Sequence, residues 1–120
     1  MKLGLEVFLS DAKRIKSLKG QRVGIVCHPA SVDAELRHSL DLLSKKVKLS
    51  CAFGPQHGVR GDKQDNMIES PNFEDPILKI PIFSLYGEVR RPTPIMMSHF
   101  DVLLFDLQDL GCRIYTFITT

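Results

Sequence analysis

Four short apolar runs constrain this 120-residue chain more than any other feature. They are "RVGIVCHP", a strand over 22–27 ended by Pro29; "VKLSCAF", a strand over 47–53 broken by Gly54-Pro55; "IPIFSLY", leading into Gly87; and "DVLLFDLQD", a strand over 101–106. Runs of this length bounded by Gly and Pro read as buried strands. The last is apolar on both faces, which predicts a central strand in a parallel sheet.

Helical spacing fills the gaps between them. Leu5, Phe8, Leu9, Ala12, Ile15 and Leu18 recur at three- and four-residue intervals, opposite Lys13, Arg14 and Lys16, predicting one amphipathic helix over 5–18 closed near Gly20. Ala34, Leu36, Leu40, Leu42 and Leu43 predict a second, with Ser31 or Asp33 as N-cap. Thr93 is placed to cap a third over Pro94 to Phe100, since proline suits the first helical turn. The segment from Gly54 to about Pro81 reads as one long loop. Strands alternating with helices predict an α/β fold, a mainly parallel sheet with flanking helices, whose ligands gather at the carboxyl ends of the strands. The loops His28 to Asp33, Gly54 to Glu69, Tyr86 to Arg91 and Asp106 to Tyr115 all follow strands, so that rule brings them to one crevice.

Charge and cysteine content remove several classes of partner. Sixteen basic against 14 acidic residues give a net charge of +2, too little to predict binding to nucleic acid or to an anionic membrane. Cys27, Cys51 and Cys112 include no CxxC pair, so zinc or redox chemistry is not expected; Cys27 and Cys51 lie in apolar runs and read as buried thiols. No metal is expected, because no HxH, HExxH or Cys/His spacing occurs, and no nucleotide cofactor, because neither GxGxxG nor GxxxxGK[ST] is present. The amino-terminal segment lacks the sustained apolar core of a signal peptide, and no run reaches the roughly 20 apolar residues of a membrane span, so a soluble cytoplasmic location is expected. "CRIYTFITT" opens a further element, and the expected organisation is that residues 1–120 form the amino-terminal portion of a larger domain, with its remainder and a carboxy-terminal domain absent.

The chemistry-bearing residues sit in the strand-end loops. Asp106 and Asp109, in "FDLQDLGCR", follow the fourth strand, where a carboxylate can bind a hydroxyl, hold a metal or shuttle a proton; the competing roles are a helix cap for Asp109 and an ion pair with Arg113 for Asp106. His28 and His57 each end a strand, and His57 suits hydrogen bonding or proton transfer because its unperturbed pKa lies near neutrality. Arg60 in the polar loop, with Arg90 and Arg91, can grip a carboxylate through a two-pronged contact, although Arg91 reads better as a surface residue. The "RGD" at Arg60 to Asp62 is a chance tripeptide.

Taken in order, "RVGIVCHPASVD", "FGPQHGVRGDKQDNMIES", "IPIFSLYGEVRRPTP" and "DVLLFDLQDLGCRIYTFITT" resemble the amino-terminal part of the exo-β-N-acetylmuramidase (NamZ-like) family of peptidoglycan hydrolases, over nearly the whole chain. The resemblance implies a Rossmann-like α/β domain, an active-site cleft shared with a smaller carboxy-terminal domain, and release of N-acetylmuramic acid from the non-reducing ends of peptidoglycan fragments. It implies that the polar loop walls the sugar site, with Arg60 facing the lactyl carboxylate. Many members read Ser-Pro-Glu-His-Gly where this chain has Gly54-Pro55-Gln56-His57-Gly58, and that glutamate is a leading candidate for the catalytic acid. An amide has no proton to donate, so the acid falls to Glu69, Asp106 or Asp109. The expected catalytic residues are Asp106, Glu69 and His57, with Gln56, Arg60, Asp109, Arg113 and Tyr115 contacting substrate. The substrate's own acetamido group can replace a second carboxylate. The other reading is a carbohydrate-binding or scaffold protein that has kept the cleft and lost catalysis.

Overall fold

The computed structural model describes residues 1–55, 59, 73–86 and 89–108. The elements are α1 (Gly4–Ser10), α2 (Ala12–Ser17), β1 (Val23–Cys27), α3 (Ser39–Ser44), β2 (Leu49–Gly54), β3 (Phe73–Glu74), β4 (Pro81–Ser84), α4 (Pro94–Met97) and β5 (Val102–Asp106). The five strands form one sheet in the order β3-β4-β2-β1-β5. β1 is parallel to both β2 and β5, β2 is parallel to β4, and β3 runs antiparallel to β4.

The two-residue periodicity of the strands sends alternate side chains to opposite faces. Ile25, Ala52 and Ile82 face α1 and α3, packing with Leu5, Leu40 and Leu43. Val26, Phe53 and Leu103 face the other way, onto Met96 of α4 and Phe100. The Phe53 ring meets Phe83 at 5.4 Å and Phe100 edge-on at 5.9 Å, favoured aromatic geometries. Gly24 makes the second layer possible. A Cβ there would lie 3.1 Å from Cys51 Sγ, Leu103 Cδ1 and Phe100 Cδ1, closer than packed carbon atoms sit.

Four expectations need correction. The predicted helix over 5–18 is two helices, because Asp11 leaves the helical region (φ −89°, ψ 84°) and its carboxylate accepts the Arg14 N–H at 3.0 Å, capping α2. The second helix starts at Ser39, with the His38 ring, neither Ser31 nor Asp33, as its N-cap. Asp33 organises the turn before it, accepting from the N–H groups of Glu35 and Arg37 at 3.0 and 2.9 Å and from the Arg37 Nε at 2.8 Å. Leu36 therefore stands 80% exposed at φ 61° and belongs to no apolar stripe. Part of the expected loop is β3, too short to show an alternating pattern. The strand expected at the centre, β5, pairs with β1 alone among the described residues, and its Phe105 is 66% exposed.

Two other expectations agree with the structure, while the helix expected over Pro94 to Phe100 ends at Met97. Thr93 caps α4 by accepting the Met96 N–H at 3.3 Å, and Cys27 and Cys51 are buried thiols outside any disulfide.

Candidate functional site

The parallel register brings the carboxyl ends of β5, β1, β2 and β4 to one edge, as the strand-end rule requires. Cys27 is the register partner of Asp106, and Gly54 that of Ser84. His28, Tyr86 and Asp106 to Gln108 therefore share that edge. Gln56, His57, Arg60, Glu69, Asp109, Arg113 and Tyr115 lie outside the described residues.

The turn after β1 is built on polar groups withdrawn from water. His28 is 3% exposed, and Ser31 and Ser39 are fully buried. Pro29 ends the strand, and the chain folds back so that Ser31 Oγ accepts the His28 N–H at 3.0 Å while donating to the Asp106 carbonyl. The same residue's carbonyl accepts the Ser39 N–H at 2.8 Å. One hydroxyl thus locks the end of β1 to the end of β5, and one carbonyl ties both to α3. Buried backbone groups left without partners would be costly, so this small residue is constrained at both ends.

The two histidines have different hydrogen-bonding patterns. His38 accepts the Leu40 N–H at Nδ1 (3.2 Å) and donates from Nε2 to the His28 carbonyl (3.0 Å), which assigns its tautomer. Backbone N–H groups approach the His28 ring on both sides, Ala30 at Nδ1 (2.9 Å) and Gln108 at Nε2 (3.3 Å), and the ring can accept from one of them, the shorter contact being that of Ala30. A neutral imidazole has one acceptor and an imidazolium none, so this cradle suits the neutral ring. Burial pushes the His28 pKa down in the same direction, against the raising effects of the Gln108 backbone and then of the Asp106 charge.

Asp106 is the single expected catalytic residue whose placement is described. Among the described residues its buried Oδ2 accepts no hydrogen bond, nor does the buried Ser39 Oγ make one. The serine hydroxyl lies close enough to favour the ionised carboxylate, yet the pair does not close to bonding geometry. Burial dominates and raises the Asp106 pKa, with Ser39, His28 and His38 pulling the other way. A carboxyl that keeps its proton above the ordinary aspartate range, at a rigid strand end, has the chemistry of a general acid. Beside it a cavity of about 160 Å³ opens between α1 and β5, walled by Leu5, Phe8 and Leu104.

Two other expectations can be placed. The Arg90 guanidinium lies 4.1 Å over the Tyr86 ring, a cation–π contact that fixes it beyond β4, and Arg91 is exposed as a surface residue would be. No three His, Cys, Asp or Glu side chains among the described residues converge as metal ligands would. Sequence reading missed Ser39, His38 and the bridging role of Ser31. The available signal was "HPAS" directly after a strand, where a small hydroxyl residue can close a turn.

Comparison with known proteins agrees with this fold. Residues 23–120 match the family described as exo-β-N-acetylmuramidase NamZ, N-terminal. The chain is 44% identical over 119 residues to the peptidoglycan β-N-acetylmuramidase NamZ of Bacillus subtilis (strain 168), covering 98% of this chain and 28% of that protein. Two crystal structures of DUF1343 family proteins from Bacteroides fragilis NCTC 9343 share the fold. One has a TM-score of 0.80 at 40% identity, covering 98% of this chain and 29% of its own. The other has a TM-score of 0.63 at 30% identity, covering 90% and 28%. The chain thus spans less than a third of each relative's length, and within that span it belongs to the exo-β-N-acetylmuramidase NamZ family, whose amino-terminal region it matches.

Proposed function

We propose that this chain supplies one wall of the active site of an exo-acting β-N-acetylmuramidase, which releases N-acetylmuramic acid from the non-reducing ends of peptidoglycan fragments. The observation that carries the reading is Asp106: a carboxyl with a buried oxygen that has no hydrogen-bond partner among the described residues, at the carboxyl end of a parallel strand, in a chain of this family. Asp106 acts as the acid. It protonates the glycosidic oxygen as the bond to the anomeric carbon breaks, and its raised pKa keeps the proton available nearer neutrality than an ordinary aspartate would.

The loop residues take the remaining roles. Arg60 pairs with the lactyl carboxylate, Glu69 and His57 assist proton transfer, and Gln56, Asp109, Arg113 and Tyr115 position the sugar. The acetamido oxygen of the substrate attacks the anomeric carbon in place of a second carboxylate, which gives retention of configuration; inversion would sink that step. The domain is Rossmann-like, its substrate is a muramic-acid sugar, no cofactor takes part, and the reaction belongs to cell-wall recycling in the cytoplasm.

The decisive experiment transplants residues 1–120 into the Bacillus subtilis relative in place of the matching segment and follows a chromogenic N-acetylmuramide. Release of the chromophore that falls at least 100-fold in Asp106→Asn is expected. Unchanged release in that variant would remove Asp106 from the mechanism. Gln56, standing where many members carry glutamate, supports a second reading as a non-catalytic carbohydrate-binding protein; binding of the sugar with no release would favour it.

A further inference from the structure

At the other end of the sheet the lysines are concentrated. Lys16 and Lys19, from α2 and the turn after it, face Lys45, Lys46 and Lys48, from the end of α3 and the link to β2, across a cleft of about 400 Å³. Ile15, Leu18 and Val47 contribute apolar surface to the same cleft. None of the five ammonium groups enters an ion pair among the described residues. The neighbouring arginines are already engaged. Arg14 pairs with Asp11 at 3.6 Å, and Arg22 holds Asp101 through its backbone N–H at 2.9 Å and its guanidinium at 3.0 Å.

Magnitudes decide whether this is more than decoration of helix ends. The carboxyl ends of α2 and α3 each present at most about half a negative charge, which accounts for about one lysine. Counting Asp41 of α3 in full accounts for another. About three positive charges remain uncompensated within one concavity, and they repel one another until an anion enters.

The form of the cleft narrows the anion. Lysine is a compact point charge that suits phosphate oxygens, whereas planar carboxylate recognition favours the guanidinium fork that this cleft lacks. Among the described residues no aromatic side chain lines it, so neither bases nor sugar rings have a stacking platform there. Its concavity admits a chain and excludes a flat bilayer. We propose that the lysine cleft at the amino ends of β1 and β2 is a docking site for a linear phosphate polymer, a polyphosphate or phosphodiester chain without stacked bases. The proposal is independent of the glycosidase reading, since the cleft lies at the opposite end of the sheet from Asp106.

The test uses the 120-residue chain and fluorescently labelled linear polyphosphate, with binding read as anisotropy at 50 and 200 mM NaCl. Three phosphate contacts, one for each uncompensated charge, on a flexible chain predict a loss of roughly 20-fold in affinity over that range. Lys45→Glu/Lys46→Glu/Lys48→Glu abolishes binding, while Lys2→Glu/Lys79→Glu/Arg91→Glu, which removes the same charge elsewhere, keeps most of it; circular dichroism confirms that both variants fold. Equal loss in the two triple variants would show a response to net charge alone and overturn the site. Binding of poly-glutamate as tight as that of polyphosphate would overturn the phosphate assignment, as would binding confined to anionic vesicles or to single-stranded DNA.

Discussion

The two ends of the parallel sheet treat polar residues in opposite ways. At the carboxyl end His28, Ser31 and Ser39 are buried, and the side chains of the first two are tied to backbone groups, so each atom's position matters. At the amino end five lysines stand in the wall of an open cleft, and only their summed field matters. Burial converts a side chain into a geometric constraint and shifts its proton affinity; exposure leaves it a screened charge. A single substitution should therefore be costly at one end and nearly silent at the other.

The sharpest way to break that contrast is Ser31→Ala. It strands the His28 N–H and removes the bond to the Asp106 carbonyl, and we expect a loss of about 2–3 kcal/mol in urea denaturation. Lys46→Ala in the same assay should move stability by less than about 0.5 kcal/mol. Equal effects would mean that the two ends are not different in kind.

Acid tests the same point through His28. Its folded pKa lies below the unfolded value, so as pH falls through the ordinary imidazole range the unfolded chain takes up the proton first. The contribution is complete above that range and lost below it. The melting temperature should drop between pH 7 and pH 5, and the drop should flatten in His28→Asn.

Asp106 runs the other way. With a folded pKa above the unfolded one, it costs nothing in strong acid and destabilises increasingly as pH rises through the folded value. Asp106→Asn should therefore be more stable than the parent at pH 7, by about 1 kcal/mol, with the gain vanishing in acid where both side chains are neutral. Stabilisation by that variant, together with loss of chromophore release in the transplant, would show that Asp106 is kept for its chemistry. The smallest effect belongs to the lysines. Raising NaCl to 0.5 M should increase the melting temperature slightly by screening their repulsion, and Lys45→Glu/Lys46→Glu should erase that increase.

The sheet was legible in the sequence because buried parallel strands leave uninterrupted apolar runs, and all four runs form strands within two residues of their expected ends. The helices were less so. The stripe from Leu5 to Leu18 is continuous, but a single capping carboxylate at Asp11 divides it, and a local side-chain bond leaves no periodic trace. Leu36 matched a helical stripe by spacing while its backbone lies in the left-handed region. Asp106 could be found from its place after a strand. Ser31 left only the local signal of a turn-closing hydroxyl in "HPAS"; its bond to Asp106, 75 positions on, and the placement of Ser39 beside the same carboxylate left none. The lysine cleft was hidden by averaging: a net charge of +2 conceals five lysines gathered at one end.

The pairing of β1 with β5 also has a consequence in time. Val23 meets Val102 in register, 79 residues later in the chain. At synthesis rates of roughly 5–20 residues per second, β1 waits on the order of 4–16 s for that neighbour. During that interval one edge of a fully buried strand has no partner from its own chain. The amino-terminal half is thus vulnerable to misassembly on the ribosome until β5 closes that edge.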